Sequence, residues 1–538
     1  MLAALVAVVW LATLKDRPLF NPDEGRYAEI PREMLSGGDW IIPHLNGVAY
    51  IEKPPLQYWA TALSLRVFGQ TEFGARFYTA LAGLLTIAAV WGTALALWNE
   101  LTAWRAAAVL SGMLLFSIMG QMLTLDMSLT LYMTVALSGF LLAQRPDRGR
   151  NPGAREVPWM LLAWTAAGLG VLTKGLVAVA IPGAVLILYS LHSRDYGPWR
   201  RLRLGSGLPL FLAITVPWHW LAARRLPDFL DFFFVREHVA RYLTPIADRE
   251  ESWWFFGPVL LAGSLPWTLS TLRVAALGWR TMKQPGEFDT ALFLWIWAIF
   301  VVVFFSLSDS KLIPYILPAL PALALLVAVL PRRTLQRDIL LSAWLTVIVS
   351  IAVGAASFYW PRLIPASDRS AYFLLLAKPL RNVAVVLLVS GAFVFARRGR
   401  DSTRDAVFLG VGWCLSGLLL VRAAALVAPV YSGVGLAAAL GEANRQALLY
   451  SVGTYDQTVP FYLRRTVRLV AYRGELDYGL QHDPGAEIPR VEEFIEQWTS
   501  ATNAFAVMEP SMFNDLKNRG VPLREVARDA HRILAARQ

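Results

Sequence analysis

Residues 72–97 of the chain, EFGARFYTALAGLLTIAAVWGTALAL, decide the class of fold. The charged side chains in this segment are Glu72 and Arg76, and both stand near its start. A helix that crosses a lipid bilayer needs about 20 predominantly apolar residues. The segment meets that requirement in length and in composition, so we predict a membrane-spanning helix here.

The composition of the whole chain extends this prediction to the molecule. Of its 538 residues, 56% are apolar and 17% are charged, and the mean hydropathy is +0.46. A soluble domain carries about 45–50% apolar and about 25% charged residues. These values predict a polytopic membrane protein and exclude a soluble enzyme, a disordered chain and a secreted disulfide scaffold. Because Cys414 is the single cysteine, intrachain disulfides and cysteine-based zinc sites are also excluded.

Apolar runs long enough to be membrane-spanning helices recur along the chain. Thirteen candidates lie at 1–14, 72–97, 102–121, 125–143, 157–173, 175–192, 204–223, 254–274, 289–307, 313–330, 338–359, 377–396 and 405–424. Short arginine-rich loops alternate with the other loops, and the positive-inside rule places the arginine-rich set in the cytoplasm. The loops predicted to face outward are 15–71, 122–125, the turn at 174, 224–253, 306–312 and 360–378. The first loop, which follows one span, faces outward, so the C-terminal residues, which follow thirteen, face outward as well.

The last part of the chain, residues 430–538, differs from the rest in charge. The whole chain carries a net charge of +11, whereas this part holds 12 basic and 13 acidic residues. Predicted strands at 446–453, 467–472 and 503–509 alternate with predicted helices at 456–465, 491–499 and 511–519. Such alternation predicts a small soluble α/β domain after a membrane domain of residues 1–429. It has no nucleophile elbow, metal cluster or glycine fingerprint, so it either caps the site and guides substrates or is a passive folded tail.

Basic residues on the outward loops run against the topological bias. Five of the seven lysines lie there, and some of the arginines join them; the residues singled out are Lys15, Lys53, Lys174, Lys311, Lys378, Arg26, Arg236 and Arg241. An anionic ligand on the outer face would explain them. The alternative, which applies best to Lys15 and Lys378, is that the side chains extend to lipid headgroups.

The first outward loop is long and dense in ionisable groups; residues 21–59 read NPDEGRYAEIPREMLSGGDWIIPHLNGVAYIEKPPLQYW. We predict a short helix over Asp23–Met34 that ends at Ser36–Asp39, and a second, amphipathic helix from Lys53 to Phe68. Two such helices in the interface plane would form a platform beside the bilayer. Carboxylates in a first turn suit the helix dipole, so Asp23 is either a functional acid or only a capping one.

Ionisable groups recur at the outer ends of other predicted spans. They are Asp126, Lys174, Glu237, His238, Arg241 and Lys311, with Tyr315 nearby. Ionisable groups at membrane depth indicate a functional site, and carboxylates beside Lys and Arg suit phosphate handling. A nucleotide donor is not expected, because no P-loop or GxGxxG motif stands in a strand–turn–helix setting. A membrane transporter, the rival class, would place its ionisable groups mid-span in two similar halves.

Three motifs make the sequence familiar: PDEGRYAEIPREM at 22–34, EKPPLQYW at 52–59 and KLIPYILP at 311–318. With them the chain resembles the bacterial glycosyltransferases of the GT-C fold that use lipid-phosphate-linked sugars. Within these it is most similar to the lipid A 4-amino-4-deoxy-L-arabinose transferases, and more distantly to the protein O-mannosyltransferases. The resemblance implies a polytopic α-helical membrane domain of about thirteen transmembrane helices, and amphipathic helices in the outer loops. It also implies a C-terminal periplasmic α/β domain.

The resemblance also implies an activity and its partners. The enzyme would move 4-amino-4-deoxy-L-arabinose from undecaprenyl phosphate to lipid A phosphate groups at the periplasmic face of the bacterial inner membrane. This lipopolysaccharide modification would confer resistance to polymyxin. The expected partners are the lipid-linked donor, lipid A and membrane lipids, with no nucleic acid, and the expected state is a monomer. Another polyprenyl-phosphate-sugar transferase, such as a protein O-mannosyltransferase, remains the alternative.

Site residues follow from the same resemblance. It makes Asp23 the catalytic carboxylate and Asp126 a second acid of the site. Lys53 and Arg241 would hold the phosphate of the sugar carrier, with Tyr315 as a hydrogen-bonding neighbour. Further lining groups are Lys174, Arg26, Tyr27 and Tyr50.

Two further residues concern a metal, and the role of the aspartate stays open. Glu52 and His238 offer an oxygen and a nitrogen that could bind a divalent metal such as zinc, although two protein ligands fall short of a closed structural site. An acceptor phosphate is already anionic and would need Asp23 only to orient groups. An acceptor hydroxyl would need it as a general base.

Overall fold

The computed structural model describes residues 2–145, 156–240, 242, 251–277, 288–363, 372, 374–397, 401–444 and 446–538. Within these ranges, seven helices are long and apolar enough to cross a membrane. They are Glu72–Leu97, Leu125–Ala143, Glu156–Lys174, Leu204–Arg225, Arg332–Tyr359, Ala377–Arg397 and Ser402–Tyr431. The chain is therefore a multi-pass helical membrane protein, as its composition predicts.

Shorter helices complete the described part of the membrane bundle. They are Leu2–Ala12, Glu100–Gly112, Leu114–Met119, Val177–Ser193, Gly197–Arg200, Phe256–Gly263, Thr268–Leu277, Thr290–Ser306 and Leu320–Ala328. Three predicted spans, 102–121, 254–274 and 313–330, each divide into two elements, the last beginning as a 3₁₀-helix over Ile313–Ala319. Proline lacks the N–H that continues a helix, which accounts for the irregular start of that last span. The count of thirteen spans stays a prediction.

Glycines allow two helices of the bundle to approach closely. A Cβ atom on Gly112 would lie 2.6 Å from the Cα of Gly410, and one on Gly410 would lie 2.3 Å from the carbonyl oxygen of Ala108. Association of helices in a bilayer depends on such close packing, because the lipid is as apolar as the side chains. The helices Glu100–Gly112 and Ser402–Ala423 therefore fit together only with small residues at this crossing.

The first loop folds as two helices and a hairpin. The first of these, which we call the first-loop helix, spans Asp23–Gly37. The second helix of the same loop spans Leu56–Phe68, and both are close to the predicted bounds. Between them β1 (His44–Leu45) pairs with β2 (Val48–Ala49). The hairpin is tied to the first-loop helix, because the Glu33 carboxylate accepts the two N–H groups of its Asn-Gly turn at 2.7 and 2.9 Å.

The C-terminal residues form a six-stranded sheet with the order β5-β4-β3-β6-β8-β7. The strands are β3 (Leu448–Val452), β4 (Arg468–Val470), β5 (Glu487–Ile488), β6 (Ala504–Met508), β7 (Leu523–Arg528) and β8 (Ile533–Arg537). Its main helices are Val434–Leu440, Thr458–Leu463, Asp477–His482, Val491–Ser500 and Pro510–Asn518. The first four strands in this order are parallel, whereas β8 and β7 add an antiparallel edge. The α/β prediction is confirmed in type.

One face of this sheet is covered by the first loop. Leu449, Leu469 and Val507 belong to an apolar cluster that also contains Tyr27 and Ile30 of the first-loop helix. Contact is close enough that a Cβ on Gly25 would lie 2.7 Å from the backbone of Gln457 and Thr458. The other face packs against helices of its own domain. The sheet is thus built onto the loop that carries most of the predicted site residues.

Candidate active site

The start of the first-loop helix is fixed by Glu24. Its carboxylate is buried and accepts charge-assisted hydrogen bonds from Arg17 at 2.5 Å and from Arg76 at 2.8 Å. The backbone N–H groups of Phe20 and Leu123 also donate to it, each at 3.0 Å. Burial alone would raise the pKa of Glu24, but the two guanidinium groups lower it far below its ordinary value. This ionised acid joins the first loop to two neighbouring parts of the membrane bundle.

Asp23, one residue earlier, has the opposite surroundings. Its side chain is 40% exposed and accepts a hydrogen bond from Arg26 at 3.3 Å. The neighbouring Tyr27 phenol has a pKa raised far above its ordinary value, first by burial and next by the charge of Asp23. Asp23 therefore presents an accessible carboxylate at the edge of a buried polar cluster.

Arg26 lies at the centre of this cluster, which we call the Arg26 cluster and define as Asp23, Arg26, Tyr27, Tyr50 and Tyr58. The guanidinium is 5.9 Å from the centre of the Tyr50 ring, and the rings of Tyr27 and Tyr58 stack at 6.0 Å. Burial alone would lower the pKa of Arg26, but nearby Tyr50 and Glu475 raise it well above its ordinary value. Arg26 is accordingly a permanent cation.

Several polar atoms in the cluster lack a hydrogen-bond partner within the described part of the chain. They are the Arg26 Nε and the hydroxyl groups of Tyr50 and Tyr58, all of them buried. Buried polar groups in native proteins are nearly always hydrogen-bonded, to protein, water or ligand. Burial also raises the pKa of both phenols well above their ordinary values, so they stay protonated and able to donate. The cluster therefore offers donors suited to oxygen-rich ligands.

A second polar group unites three predicted residues from separate parts of the sequence. Lys174 donates a hydrogen bond to the Asp126 carboxylate, and its ammonium lies 4.5 Å from the centre of the Tyr315 ring. The pKa of Tyr27 is also raised by the charge of Asp126, a weaker influence than that of Asp23. This group and the Arg26 cluster are therefore close enough to interact electrostatically.

Lys53 occupies a third position, where two outer loops meet. Its ammonium donates to Glu237 at 2.9 Å and to the backbone carbonyl of Glu52 at 2.8 Å. Glu237 lies in a π-helix over Asp231–Ala240, which belongs to a different outward loop from Lys53. Burial raises the pKa of both Tyr27 and Tyr50, and the negative charge of Glu52 raises it further. The Lys53–Glu237 ion pair therefore joins the first loop to the Asp231–Ala240 segment.

The remaining predicted residues are Arg241 and the metal pair. Arg241 and the side chain of His238 lie outside the described residues. In the described ranges no group of three or more His, Cys, Asp or Glu side chains could hold a metal ion. The pairing of Glu52 with His238, and a zinc requirement, stay predictions.

The structure adds residues that the sequence patterns did not single out. Tyr58 belongs to the Arg26 cluster, and Glu475 of the C-terminal domain lies 3.5 Å from Arg26. Glu475 stands in RGELDYGL, which carries no motif that would have revealed it. Lys15 and Lys378, by contrast, are exposed, as the headgroup interpretation requires.

Two models of known protein families match parts of this chain. The model of the aminoarabinose transferase C-terminal domain matches residues 437–537. The model of the dolichyl-phosphate-mannose-protein mannosyltransferases matches residues 52–220. The first lies over the α/β domain, and the second begins at Glu52 in the first loop.

Whole-chain relatives share one name, undecaprenyl phosphate-α-4-amino-4-deoxy-L-arabinose arabinosyl transferase. The protein from Pectobacterium carotovorum is 30% identical over 98% of this chain and 96% of its own length. That from Aeromonas salmonicida is 30% identical over 89% of this chain and 87% of its own. The crystal structure of ArnT from Cupriavidus metallidurans bound to undecaprenyl phosphate matches with 34% identity and a TM-score of 0.90. It covers 99% of this chain and 96% of the crystallised one.

Proposed function

This chain belongs to the family of undecaprenyl phosphate-α-4-amino-4-deoxy-L-arabinose arabinosyl transferases, and we propose that it carries out the reaction for which that family is named. It is a multi-pass membrane glycosyltransferase with the GT-C fold. The donor is 4-amino-4-deoxy-L-arabinose linked to undecaprenyl phosphate. The acceptor is a phosphate group of lipid A, at the periplasmic face of the inner membrane.

The match to a crystal structure that contains undecaprenyl phosphate carries this proposal, because it extends over nearly the full length of both chains. The geometry of the site supports it independently. Lys174 ends the spanning helix Glu156–Lys174, and Lys53 and Arg26 lie in the first loop. A prenyl chain in the bilayer would present its phosphate at such a helix end. Each of these three cations is paired with a carboxylate, so an incoming phosphate would compete for cations that are already in place.

The reaction needs little from the protein beyond charge and position. Cleavage of the sugar–oxygen bond leaves its electron pair on the carrier phosphate, whose negative charge rises in the transition state. Cations held at that phosphate stabilise the transition state more than the ground state. We assign this role to Lys53 and Arg241, with Tyr315 and Lys174 as neighbours.

Asp23 is assigned to the acceptor side of the reaction. A lipid A phosphate is already ionised and attacks the sugar carbon without losing a proton, so no strong base is required. The exposed Asp23 carboxylate would then orient the sugar amine or stabilise positive charge that develops at the sugar carbon. Asp126, held by Lys174, provides a second negative charge beside it. A divalent metal held by Glu52 and His238 would orient the first loop.

A protein O-mannosyltransferase is the second candidate, because the mannosyltransferase family model matches residues 52–220. That reaction transfers a sugar to a hydroxyl group, and Asp23 would then have to accept a proton. Full-length similarity to the aminoarabinose transferases favours the first candidate.

The discriminating experiment uses purified protein in lipid nanodiscs. It is given undecaprenyl-phosphate aminoarabinose with lipid A, or a polyprenyl-phosphate mannose with a Ser/Thr-rich peptide, and products are identified by mass spectrometry. We expect aminoarabinose on lipid A phosphates, no mannosyl peptide, and no product of either kind from the Asp23→Asn variant. Mannosyl peptide as the main product would refute the proposal.

The placement and state of the protein are part of the proposal. We expect the C-terminal domain in the periplasm, the protein in the inner membrane and a functional monomer. A cysteine-reactive probe that does not cross membranes, applied to intact spheroplasts, should label a Ser500→Cys variant but not an Arg333→Cys variant. The reverse pattern would contradict the orientation.

A further inference from the structure

One short stretch of the C-terminal domain, residues 472–482, brings charged and polar side chains to the site, and we call it the bridging segment. Glu475 in this segment lies beside Arg26 of the first loop. Tyr478 donates a hydrogen bond to Asp228 at 2.8 Å, and the His482 ring lies 3.2 Å from the same carboxylate. Asp228 precedes the π-helix that carries Glu237, the partner of Lys53. The bridging segment therefore touches two of the outer loops that supply the site, the first loop and the loop at 224–253.

Glu475 is held in place by its own domain. The Tyr472 hydroxyl donates a hydrogen bond to one carboxylate oxygen at 3.0 Å, and the Gln457 amide donates to the other. The side chain is 15% exposed. These donors are neutral and do not compensate a carboxylate charge, whereas the cation that lies against Glu475 in the described part of the chain is the Arg26 guanidinium, at 3.5 Å.

Arg26 is thus shared between two carboxylates of different character. One terminal nitrogen lies 3.3 Å from the Asp23 carboxylate, and the other lies 3.5 Å from the Glu475 carboxylate. The buried Nε has no hydrogen-bond partner among the described residues. A guanidinium is a rigid, planar fork, so fixing one terminal nitrogen orients the whole group. Without the charge of Glu475, Arg26 would be free to pair more fully with Asp23 and would neutralise the acid assigned to the acceptor.

We propose that Glu475 is a positioning residue for glycosyl transfer, which holds the Arg26 guanidinium between Asp23 and Tyr50. The inference rests on the proposed function, and it makes the C-terminal domain a part of the active site instead of a cap or a passive tail. An ion pair that only attached the domain to the membrane bundle would contribute to stability and leave the chemistry unchanged.

A double-mutant cycle tests this directly. The variants are Glu475→Gln, Arg26→Gln and the double variant, and kcat and KM are measured for the lipid-linked donor. We expect Glu475→Gln to lower kcat roughly tenfold with a smaller change in KM, since small displacements at a reacting site slow the reaction strongly. In the Arg26→Gln background the same substitution should have little further effect. If the double variant loses kcat by the full product of the two single losses, the residues act independently and the proposal is overturned.

Glu492→Gln is the matched control. Glu492 lies in the same domain and pairs with Arg519 at 3.0 Å, but it stands in the helix Val491–Ser500 on the face of the sheet away from the first loop. We expect its kcat and Tm to equal those of the wild type. A Glu475→Gln variant that loses thermal stability while keeping the wild-type kcat would show a purely structural contact and overturn the proposal.

Two provisions keep the result decisive. If Glu475→Gln does not fold, Tyr472→Phe removes one of the hydrogen bonds that fix Glu475, and its smaller loss of kcat must also vanish in the Arg26→Gln background. The cycle is also measured on binding of undecaprenyl phosphate alone, which needs no sugar and no acceptor. Non-additive losses of affinity there support the role of Glu475 even if the wild type fails to transfer aminoarabinose, an outcome that refutes only the proposed function.

Discussion

At the scale of single residues, two adjacent acids have separate tasks. Asp23 is 40% exposed and touches one cation, whereas Glu24 is 1% exposed and is held by two arginines. In the sequence both are first-turn carboxylates of the same helix, and helix geometry alone suits either of them. Their burial separates a candidate catalytic group from a structural one.

The Asp23→Asn substitution should therefore abolish transfer and leave the fold intact. The amide is nearly isosteric, opens no cavity and removes only the charge that faces Arg26. The measurement is transfer of aminoarabinose to lipid A, with Tm of the detergent-solubilised protein as the control. An Asn variant with wild-type activity would reduce Asp23 to a helix cap.

Glu24→Gln should have the reverse effect, a loss of stability. Removing one partner of a buried ion pair costs about 3–5 kcal/mol, because the remaining charges are left uncompensated. The pKa of Glu24 is depressed in the folded state, so its contribution is present above its unfolded pKa of about 4.3 and is lost as the pH falls from that value toward the folded pKa. Thermal unfolding from about pH 6 to about pH 2 should show a steeper loss of stability at the acid end in the wild type than in the variant, and equal slopes would contradict this.

Lys53→Ala should weaken donor use. A charge-assisted hydrogen bond to phosphate contributes roughly 1.5–3 kcal/mol net, and part of that stabilisation develops only in the transition state. We expect kcat to fall together with kcat/KM across a range of donor concentrations. Lys378→Ala, an exposed outer lysine away from these groups, should leave both unchanged. Full recovery of the wild-type rate at high donor would limit Lys53 to ground-state binding.

At the scale of elements, small residues and breaks determine how the helices fit. The crossing of Glu100–Gly112 with Ser402–Ala423 depends on Gly112 and Gly410, and no hydropathy profile shows that these two glycines meet. One helix ends at Gly112, and the next, Leu114–Met119, begins after Met113, whose backbone is extended. An apolar run of the right length can therefore be two helices.

Gly410→Ala should destabilise the protein, because the added methyl would lie 2.3 Å from a backbone oxygen that cannot move without shifting its helix. Gly92→Ala is the matched control, since a Cβ at that helical position has nothing within 4 Å. We expect a clearly lower Tm for Gly410→Ala and almost no change for Gly92→Ala. Equal Tm values would contradict the close crossing.

At the scale of the whole molecule, the C-terminal domain and the first loop form one folded unit. Asn46 in the loop donates to the Val467 carbonyl at 2.9 Å and accepts from the Val467 N–H at 2.8 Å. The apolar cluster on this face of the sheet draws residues from both parts of the chain. Neither part has a complete core without the other.

A chain of residues 1–429 should for this reason fail to accumulate as a folded protein. Its first-loop helix would expose Ile30 and Met34, which are buried in the full chain. The measurement is fluorescence-detected size exclusion of the truncated and full-length proteins, with expression in the membrane fraction as the control for synthesis. A monodisperse truncated protein would show that the domains fold independently.

The sequence by itself determined the membrane class, the two first-loop helices and the α/β character of the tail, because these depend on local composition and periodicity. It also indicated Asp126, Lys174 and Tyr315, which the structure brings together. Only the tertiary structure decided which of Asp23 and Glu24 is accessible, that Lys53 pairs with Glu237, and that Glu475 reaches Arg26. These contacts join residues far apart in the chain, and their energies depend on burial and charge partners that no local pattern specifies.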